Sequence, residues 1–333
     1  MNRKNLDSMK NLEISFAGLT LKNPFIVSSC SLTNSAERNK KWEEAGAAAV
    51  VLKSLFEEEI EAELVQAKKE AHAEEMDYLQ TYYQAHRLEE YLRLVKETKQ
   101  ACTIPVIASI NCYHNSDWTK FAHHIEEAGA DAIELNIMSV RNELDEAYGT
   151  YEQLHIDILK QVKKEAKIPV IVKLGRNFTN CMPLIDQLYA NGAAAVVLFN
   201  RMVTFDIDIE KVSCTHGNAL GQTNDLSEVL RYTGLASARV PNMDIAASGG
   251  IADGAAMVKA LLAGASAVEV CSALYWQGSE GIQKMLVFLS EWMERHGYES
   301  ISQFRGRLNA KEGNAMDKFE RTQFFNNFSL RND

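Results

Sequence analysis

ASGGIADG (247–254) and GASAVEVCSAL (264–274) are the two stretches whose reading decides the fold. Each is a short apolar strand that runs out into small residues. Gly249 and Gly250 close the first, and Cys271, Ser272 and Ala273 close the second. A helix-like segment, DGAAMVKALLAGA, lies between them. Backbone at adjacent strand ends, free of bulky side chains, approaches an anion closely and offers it N–H groups. In a (β/α)8 barrel the ends of the seventh and eighth strands form the usual phosphate site. The two stretches therefore point to a barrel and to a phosphorylated cofactor. The alternative is a tight glycine turn between strand and helix.

Working outward, mostly apolar strand-like segments recur along the chain. They are PFIVSSC (24–30), AAVVLKSL (48–55), PVIASIN (105–111), AIELNI (132–137), PVIVKL (169–174), AAVVLFN (194–200), DIAASGG (244–250) and AVEVCSA (267–273). Near-continuous apolar runs mean strands buried on both faces, which is the mark of parallel sheet. Helical patterns such as YEQLHIDILKQVKKEA and GIQKMLVFLSEWMERHG separate them. EEAGAAAVVL, EEAGADAIEL, YANGAAAVVL and LLAGASAVEV form an internal repeat, each ending a helix on Gly and entering an even-numbered strand. Strands three and five open instead on IPV, where proline stops the helix. This alternation predicts one α/β domain over residues 1–333, a single (β/α)8 TIM barrel, ahead of an open doubly wound sheet.

The strand-to-strand spacing is longest after strands two and six, with a smaller excess after strand four. Extra residues there fall on the C-terminal, functional face of a barrel. Residues 57–100 read as a helical insertion, part outer helices and part lid, with the DYLQTYYQ aromatics near the pocket. A long loop follows strand six.

Composition narrows the function. A formal net charge of −10 over 333 residues disfavours nucleic acid or an anionic membrane as main partner. No apolar run approaches the roughly 20 residues of a spanning helix, and the first residues lack a signal-peptide core. A cytoplasmic protein is expected. The six cysteines show no CxxC spacing, so no metal site is expected and most thiols should be reduced and structural.

Polar residues sit where a packed barrel would want apolar ones. Lys53 ends strand two and Lys173 ends strand five. A lysine in a buried strand is costly unless it meets an anion or a polar ligand. Asn136 and Asn200 end strands four and six, and each offers a donor and an acceptor, as a heterocycle edge demands. Ser28 and Ser29 end strand one, and Ser109 and Asn111 end strand three. The rim so read holds no clustered carboxylates or histidines. That disfavours a divalent-metal enzyme and a two-carboxylate glycosidase.

These residues, in this order, resemble the dihydroorotate dehydrogenase family of FMN-dependent barrels, and the flavin barrel of dihydropyrimidine dehydrogenase. The likeness runs from NPFIVSS to the last helix, through the VLKS lysine, ELN of strand four, the VKL lysine, the strand-six Asn, ASGGI and GA…CSAL. ASINCYHNSDWTKFAHHIEEAGADAIELN looks particularly like the dihydropyrimidine dehydrogenase version. The resemblance implies FMN. Ser28, Ser29, Lys53, Ser109, Asn136, Lys173 and Asn200 would surround the ring and ribityl chain, and Gly249, Gly250, Cys271 and Ser272 would hold the phosphate. Lys173 would stabilise the charge of the reduced flavin, and Lys53 would touch flavin and substrate. It also implies hydride transfer between a CH–CH bond and flavin N5, a homodimer and a possible separate electron-transfer partner.

The chain departs from the family in its substrate half. The base loop reads Asn136-Ile137-Met138-Ser139-Val140-Arg141-Asn142, which places Ser139 at the base position. A serine there needs a proton relay, and an ordinary loop serine is the other reading. Loop six carries Leu226-Ser227-Glu228 where the family has Leu-Ser-Gly beside the flavin; Glu228 would repel a phosphate unless it points away. The substrate motif Asn-Ser-Met-Gly-Leu-Pro-Asn is absent after strand two. Asn111, Arg141, Asn142 and Arg201 are the candidate substrate partners. Three functions stay open: a dihydroorotate dehydrogenase-like enzyme, a flavin enzyme of the same fold with another small substrate, and a non-catalytic FMN- or phosphate-binding barrel. A phosphosugar isomerase or aldolase is a weaker fourth.

Overall fold

Valine, isoleucine and alanine crowd the eight segments because both faces of each strand are covered, and all eight form strands. A computed structural model describes residues 11–56, 76–111, 121–311 and 317–320. The barrel strands are β1 (Phe25–Val27), β2 (Ala49–Val51), β3 (Val106–Asn111), β4 (Ala132–Asn136), β5 (Val170–Leu174), β6 (Ala195–Leu198), β7 (Asp244–Ser248) and β8 (Ala267–Val270). Each pairs in parallel with the next, and β8 pairs with β1 through Val268 opposite Phe25, so the sheet closes. The pair Leu55–Phe56 adds a short stretch against the end of β3.

The helices are α1 (Ala36–Glu44), α2 (Met76–Ala101), α3 (Phe121–Glu127), α4 (Thr150–Glu165), α5 (Met182–Ala190), α6 (Leu226–Arg239), α7 (Gly254–Ala263) and α8 (Glu280–Arg295). A short helix, Ser272–Gln277, precedes α8. Their apolar stripes face the sheet; in α8 the buried positions include Ile282, Met285, Leu286, Leu289 and Met293, spaced three and four apart. The repeat seen in the sequence is a helix stop. Gly264 ends α7 at φ +118°, a left-handed conformation, and the chain turns straight into β8.

A hairpin, Ile14–Phe16 with Leu19–Leu21, closes the N-terminal end of the barrel. Phe16 is fully buried, and the Ala17 N–H donates to Asp244 Oδ2 at 2.9 Å, at the start of β7. The opposite rim is left for the long loops. The loop after β6 holds an antiparallel hairpin, Phe205–Asp208 with Ser213–His216. The second half of the 57–100 insertion belongs to α2, whose Tyr91, Val95 and Thr98 are buried against the barrel. Residues 57–75, and the side chains of the DYLQTYYQ aromatics, lie outside the described residues.

Candidate active site

The barrel interior supplies the floor of the site. In the sheet register Asn136 lies beside Lys173 and Glu134 beside Ile171, so Glu134, Asn136 and Lys173 all point inward. The Lys173 ammonium reaches Glu269 Oε2 on β8 at 2.7 Å and Glu134 Oε1 on β4 at 3.5 Å. It also donates to Ser28 Oγ at 2.9 Å, and Ser28 Oγ donates to Glu269 Oε2 at 3.1 Å. Both glutamates are fully buried. Burial works against the charge on Lys173, yet Glu134 and Glu269 outweigh it and hold the ammonium above its ordinary pKa. Burial, and then the charge of Glu269, push the Glu134 carboxyl well above the usual carboxylate range. The cluster thus sets one buried ammonium against two buried carboxyls.

This corrects the sequence reading of the rim. Two carboxylates do cluster, one layer below the strand ends, and they supply the anion that a buried lysine needs. The signal was present. Glu134 and Glu269 interrupt the apolar runs of AIELNI and AVEVCSA just as Lys173 interrupts PVIVKL.

Above this floor lies a cavity. Ser28, Ser29, Lys173 and Glu269 form its base, Gly249 and Gly250 one wall, and Cys271 and Ser272 the next; Asn200 and Arg201 flank it. The glycines cannot be replaced without strain. Gly249 and Gly250 have φ of +109° and +71°, and a Cβ on Gly250 would stand 2.3 Å from the Leu226 backbone nitrogen at the start of α6. A Cβ on Gly249 would stand 2.9 Å from a terminal nitrogen of Arg176. The Gly221 N–H donates to Ser272 Oγ at 2.8 Å, which folds the loop after β6 back over the cradle.

Arg176, just past β5, was missed in the sequence. One terminal nitrogen pairs with Asp225 Oδ1 at 3.3 Å and Glu228 Oε2 at 3.1 Å. Its Nε and other terminal nitrogen are buried with no partner among the described residues. Glu228 is thus tied to arginine rather than set against an anion. The small-residue cradle, the spare guanidinium donors beside it and the buried ammonium below fit a phosphorylated, electron-rich ring cofactor.

The other sequence candidates fall in different places. Asn200 Nδ2 donates to Asn136 Oδ1 at 2.7 Å, which joins the ends of β4 and β6. Asn111 is buried, and its Oδ1 has no partner among the described residues. Ser109 Oγ and Ser54 Oγ are 2.8 Å apart, and Ser54 Oγ and Ser29 Oγ 3.0 Å, a hydroxyl chain along the rim. Tyr91 pins its end, accepting from the Ser109 N–H at 2.6 Å. Burial pushes the Tyr91 phenol up. Lys53 does not line the first cavity. It lines a second one, with Asn34, Arg87, Glu90 and Glu97, and its ammonium sits 5.8 Å from the Phe56 ring centroid. Ser227 is exposed on the outer face of α6 beside Leu230 and Lys259.

On the loop after β4, the Ser139 N–H donates to Tyr151 Oη at 3.1 Å and its carbonyl accepts from Asn177 Nδ2 at 2.9 Å. Its hydroxyl is buried with no partner among the described residues. Arg141 is held by Glu146, with Nε 2.9 Å from Oε1, and Asn142 is exposed. Arg201 stays at the first cavity, its Nε 3.6 Å from Asp225 Oδ2.

A closed parallel barrel carries a glycine cradle and a buried cation at its C-terminal rim, the end where barrel enzymes hold their active sites. Residues 11–293 match the family model described as Dihydroorotate dehydrogenase. The chain belongs to that flavin-dependent family, and it is an oxidoreductase acting on CH–CH groups. It is 29% identical over 317 residues to the "Dihydroorotate dehydrogenase B (NAD(+)), catalytic subunit" of Thermoplasma volcanium, covering 90% of this chain and 98% of that protein. The protein of the same description from Methanocella arvoryzae is 31% identical over 277 residues, 78% of this chain and 85% of its own. The "NAD-dependent dihydropyrimidine dehydrogenase subunit PreA" of Escherichia coli is 23% identical over 325 residues, 90% of this chain and 77% of its own. Among the described residues no helix is long and apolar enough to cross a membrane.

Proposed function

We propose that the chain is an FMN-dependent oxidoreductase of the dihydroorotate dehydrogenase type, acting on a dihydropyrimidine-like CH–CH bond. The observation that carries this reading is the single cavity shared by the Gly249–Gly250 cradle, Cys271, Ser272 and the Lys173–Glu269 floor. FMN, when bound, supplies a two-electron acceptor for hydride. Gly249, Gly250 and Ser272 would hold its phosphate, with the spare donors of Arg176 beside them. Ser28, Ser29, Asn136 and Asn200 would orient its ring. Lys173 would meet the ring's electron-rich edge, and the carboxyls behind keep that ammonium charged and aimed. Ser139, on the loop after β4, would take the position of the base, its buried hydroxyl having no partner among the described residues.

A related reading keeps the flavin and changes the substrate. Arg141 is occupied by Glu146, Asn142 faces outward, and Lys53 lines a different cavity. These placements favour a ligand other than dihydroorotate. We place the enzyme in the cytoplasm, with α2 as an outer helix on one barrel domain. A second copy, or a separate electron-transfer subunit, would dock near the rim. The exposed Phe205, Ile207, Ile209 and Val212 of the loop after β6 support such a partner, as does the word "subunit" in the relatives' names.

The test is a visible spectrum of the purified protein, then anaerobic mixing with dihydroorotate, dihydrouracil and dihydrothymine. Yellow protein bleached by one of them is the expected result. Colourless protein that ignores added FMN would remove the proposal, and bleaching by none of the three would shift it to the second reading.

A further inference from the structure

Ser139 is gripped through its backbone from two different elements. Tyr151, in the first turn of α4, is buried, and its hydroxyl bridges two steps of the loop after β4. It donates to the Ile137 carbonyl at 3.3 Å and accepts from the Ser139 N–H at 3.1 Å. A phenol has one proton to give and lone pairs to receive with, so one oxygen satisfies both contacts. His155, one turn farther along α4 and fully buried, sets Nε2 3.0 Å from the same Ile137 carbonyl. The rings of Tyr151 and His155 meet edge to face, 4.7 Å between centroids, and Phe178, past β5, stacks on Tyr151 at 5.2 Å.

The second grip comes from the loop after β5, where Asn177 Nδ2 donates to the Ser139 carbonyl at 2.9 Å. Gly175 leaves room for that reach: a Cβ on it would stand 2.5 Å from Asn177 Oδ1. Beyond Ser139 the chain runs outward, and Val140, Leu144 and Tyr148 are exposed. The Ser139 hydroxyl itself is buried with no partner among the described residues. Such a group is costly to bury, yet two side chains fix the backbone at this one residue and keep it there.

We propose that Tyr151 is a positioning residue for the reaction, its hydroxyl holding the Ser139 backbone so that Oγ is presented to substrate, with Asn177 as the second hold. The inference rests on the reading of Ser139 as the base. Tyr151 acts through Ser139 and not on the reacting atoms. Misplacing a reacting group by about 1 Å costs about a hundredfold in rate, and with one of the two holds left in place the loss should be about tenfold.

Tyr151→Phe removes the hydroxyl and keeps the ring that stacks on Phe178. Hydrogen exchange, resolved to single amides in the full-length chain without added FMN, should show the Ser139 N–H exchanging at least about tenfold faster, with β4 and the rest of α4 as in wild type. Anaerobic flavin reduction by dihydroorotate, dihydrouracil or dihydrothymine, whichever reduces the wild type, should fall about tenfold in limiting rate while the half-saturating concentration stays within about twofold. In a Ser139→Ala background the same change should cost no further rate, because the group it positions is gone. Unchanged exchange at Ser139 would overturn the hold, and a rate loss that adds in full to that of Ser139→Ala would overturn action through Ser139. Ser139→Ala at the wild-type rate would remove the base reading instead, and the exchange measurement would still decide the hold.

Discussion

Replacing Lys173 by methionine preserves the side chain's reach and removes its charge. The loss falls on Glu269, 2.7 Å from the ammonium, and on Glu134, 3.5 Å away, both fully buried. Breaking a buried pair by removing one partner costs about 3–5 kcal/mol. The orphaned carboxylate reduces that cost by taking up a proton, so the penalty depends on pH. A carboxyl whose folded pKa lies above its unfolded value of about 4.3 supports the fold below that pH and loses the support as pH rises through the folded value. Wild-type Glu134 already behaves this way; in Lys173→Met a second carboxyl joins it. One additional bound proton is worth about 1.4 kcal/mol per pH unit, so the variant should lose more stability than wild type between about pH 5 and about pH 8, at up to about that slope. Urea unfolding followed by far-ultraviolet circular dichroism at both pH values measures this. Adding Glu269→Gln to Lys173→Met should restore most of the loss at the higher pH. A penalty independent of pH, or a double variant no better than the single, would refute the buried-cluster reasoning.

Gly250→Ala forces a Cβ to within 2.3 Å of the Leu226 nitrogen at a positive φ. It should cost about 1–3 kcal/mol and weaken FMN binding about tenfold or more in equilibrium dialysis; unchanged affinity would remove the cradle. Ser139→Ala deletes a hydroxyl with no partner among the described residues, so the melting transition should stay within about 0.5 kcal/mol of wild type. Anaerobic flavin reduction by substrate should nonetheless fall about a hundredfold, and an unchanged rate would strip Ser139 of the base role. At the outer wall, burial opposes the charge of Glu43, but Lys40 Nζ at 2.7 Å and the Thr103 N–H at 2.8 Å hold its carboxyl down at about 2. That support is complete above the unfolded carboxyl's pKa and is lost as pH falls toward about 2. Glu43→Gln should cost about 2 kcal/mol near neutrality and little in acid, which acid titration of both proteins followed by fluorescence would check.

The barrel was legible in the chain itself because its cause is local. Runs such as AAVVL and PVIVKL announce strands covered on both faces, and the Gly-then-strand repeat marks where each helix must stop. The same locality made Gly249 and Gly250 readable: backbone at positive φ, with Gly250 pressed against the start of α6, has no room for a side chain, and bare backbone is written as glycine. Lys173 could be named from its strand, since a lysine amid valines must answer to something. What it answers to could not be named, because Glu134 lies 39 residues before it and Glu269 96 after. Only closure of the sheet brings β4, β5 and β8 around one point. Lys53 shows the converse, for a strand end fixes a residue's height on the barrel but not which cavity its long side chain enters. The pairing of Val268 with Phe25 likewise joins the last strand to the first, a contact that exists only when the ring is shut.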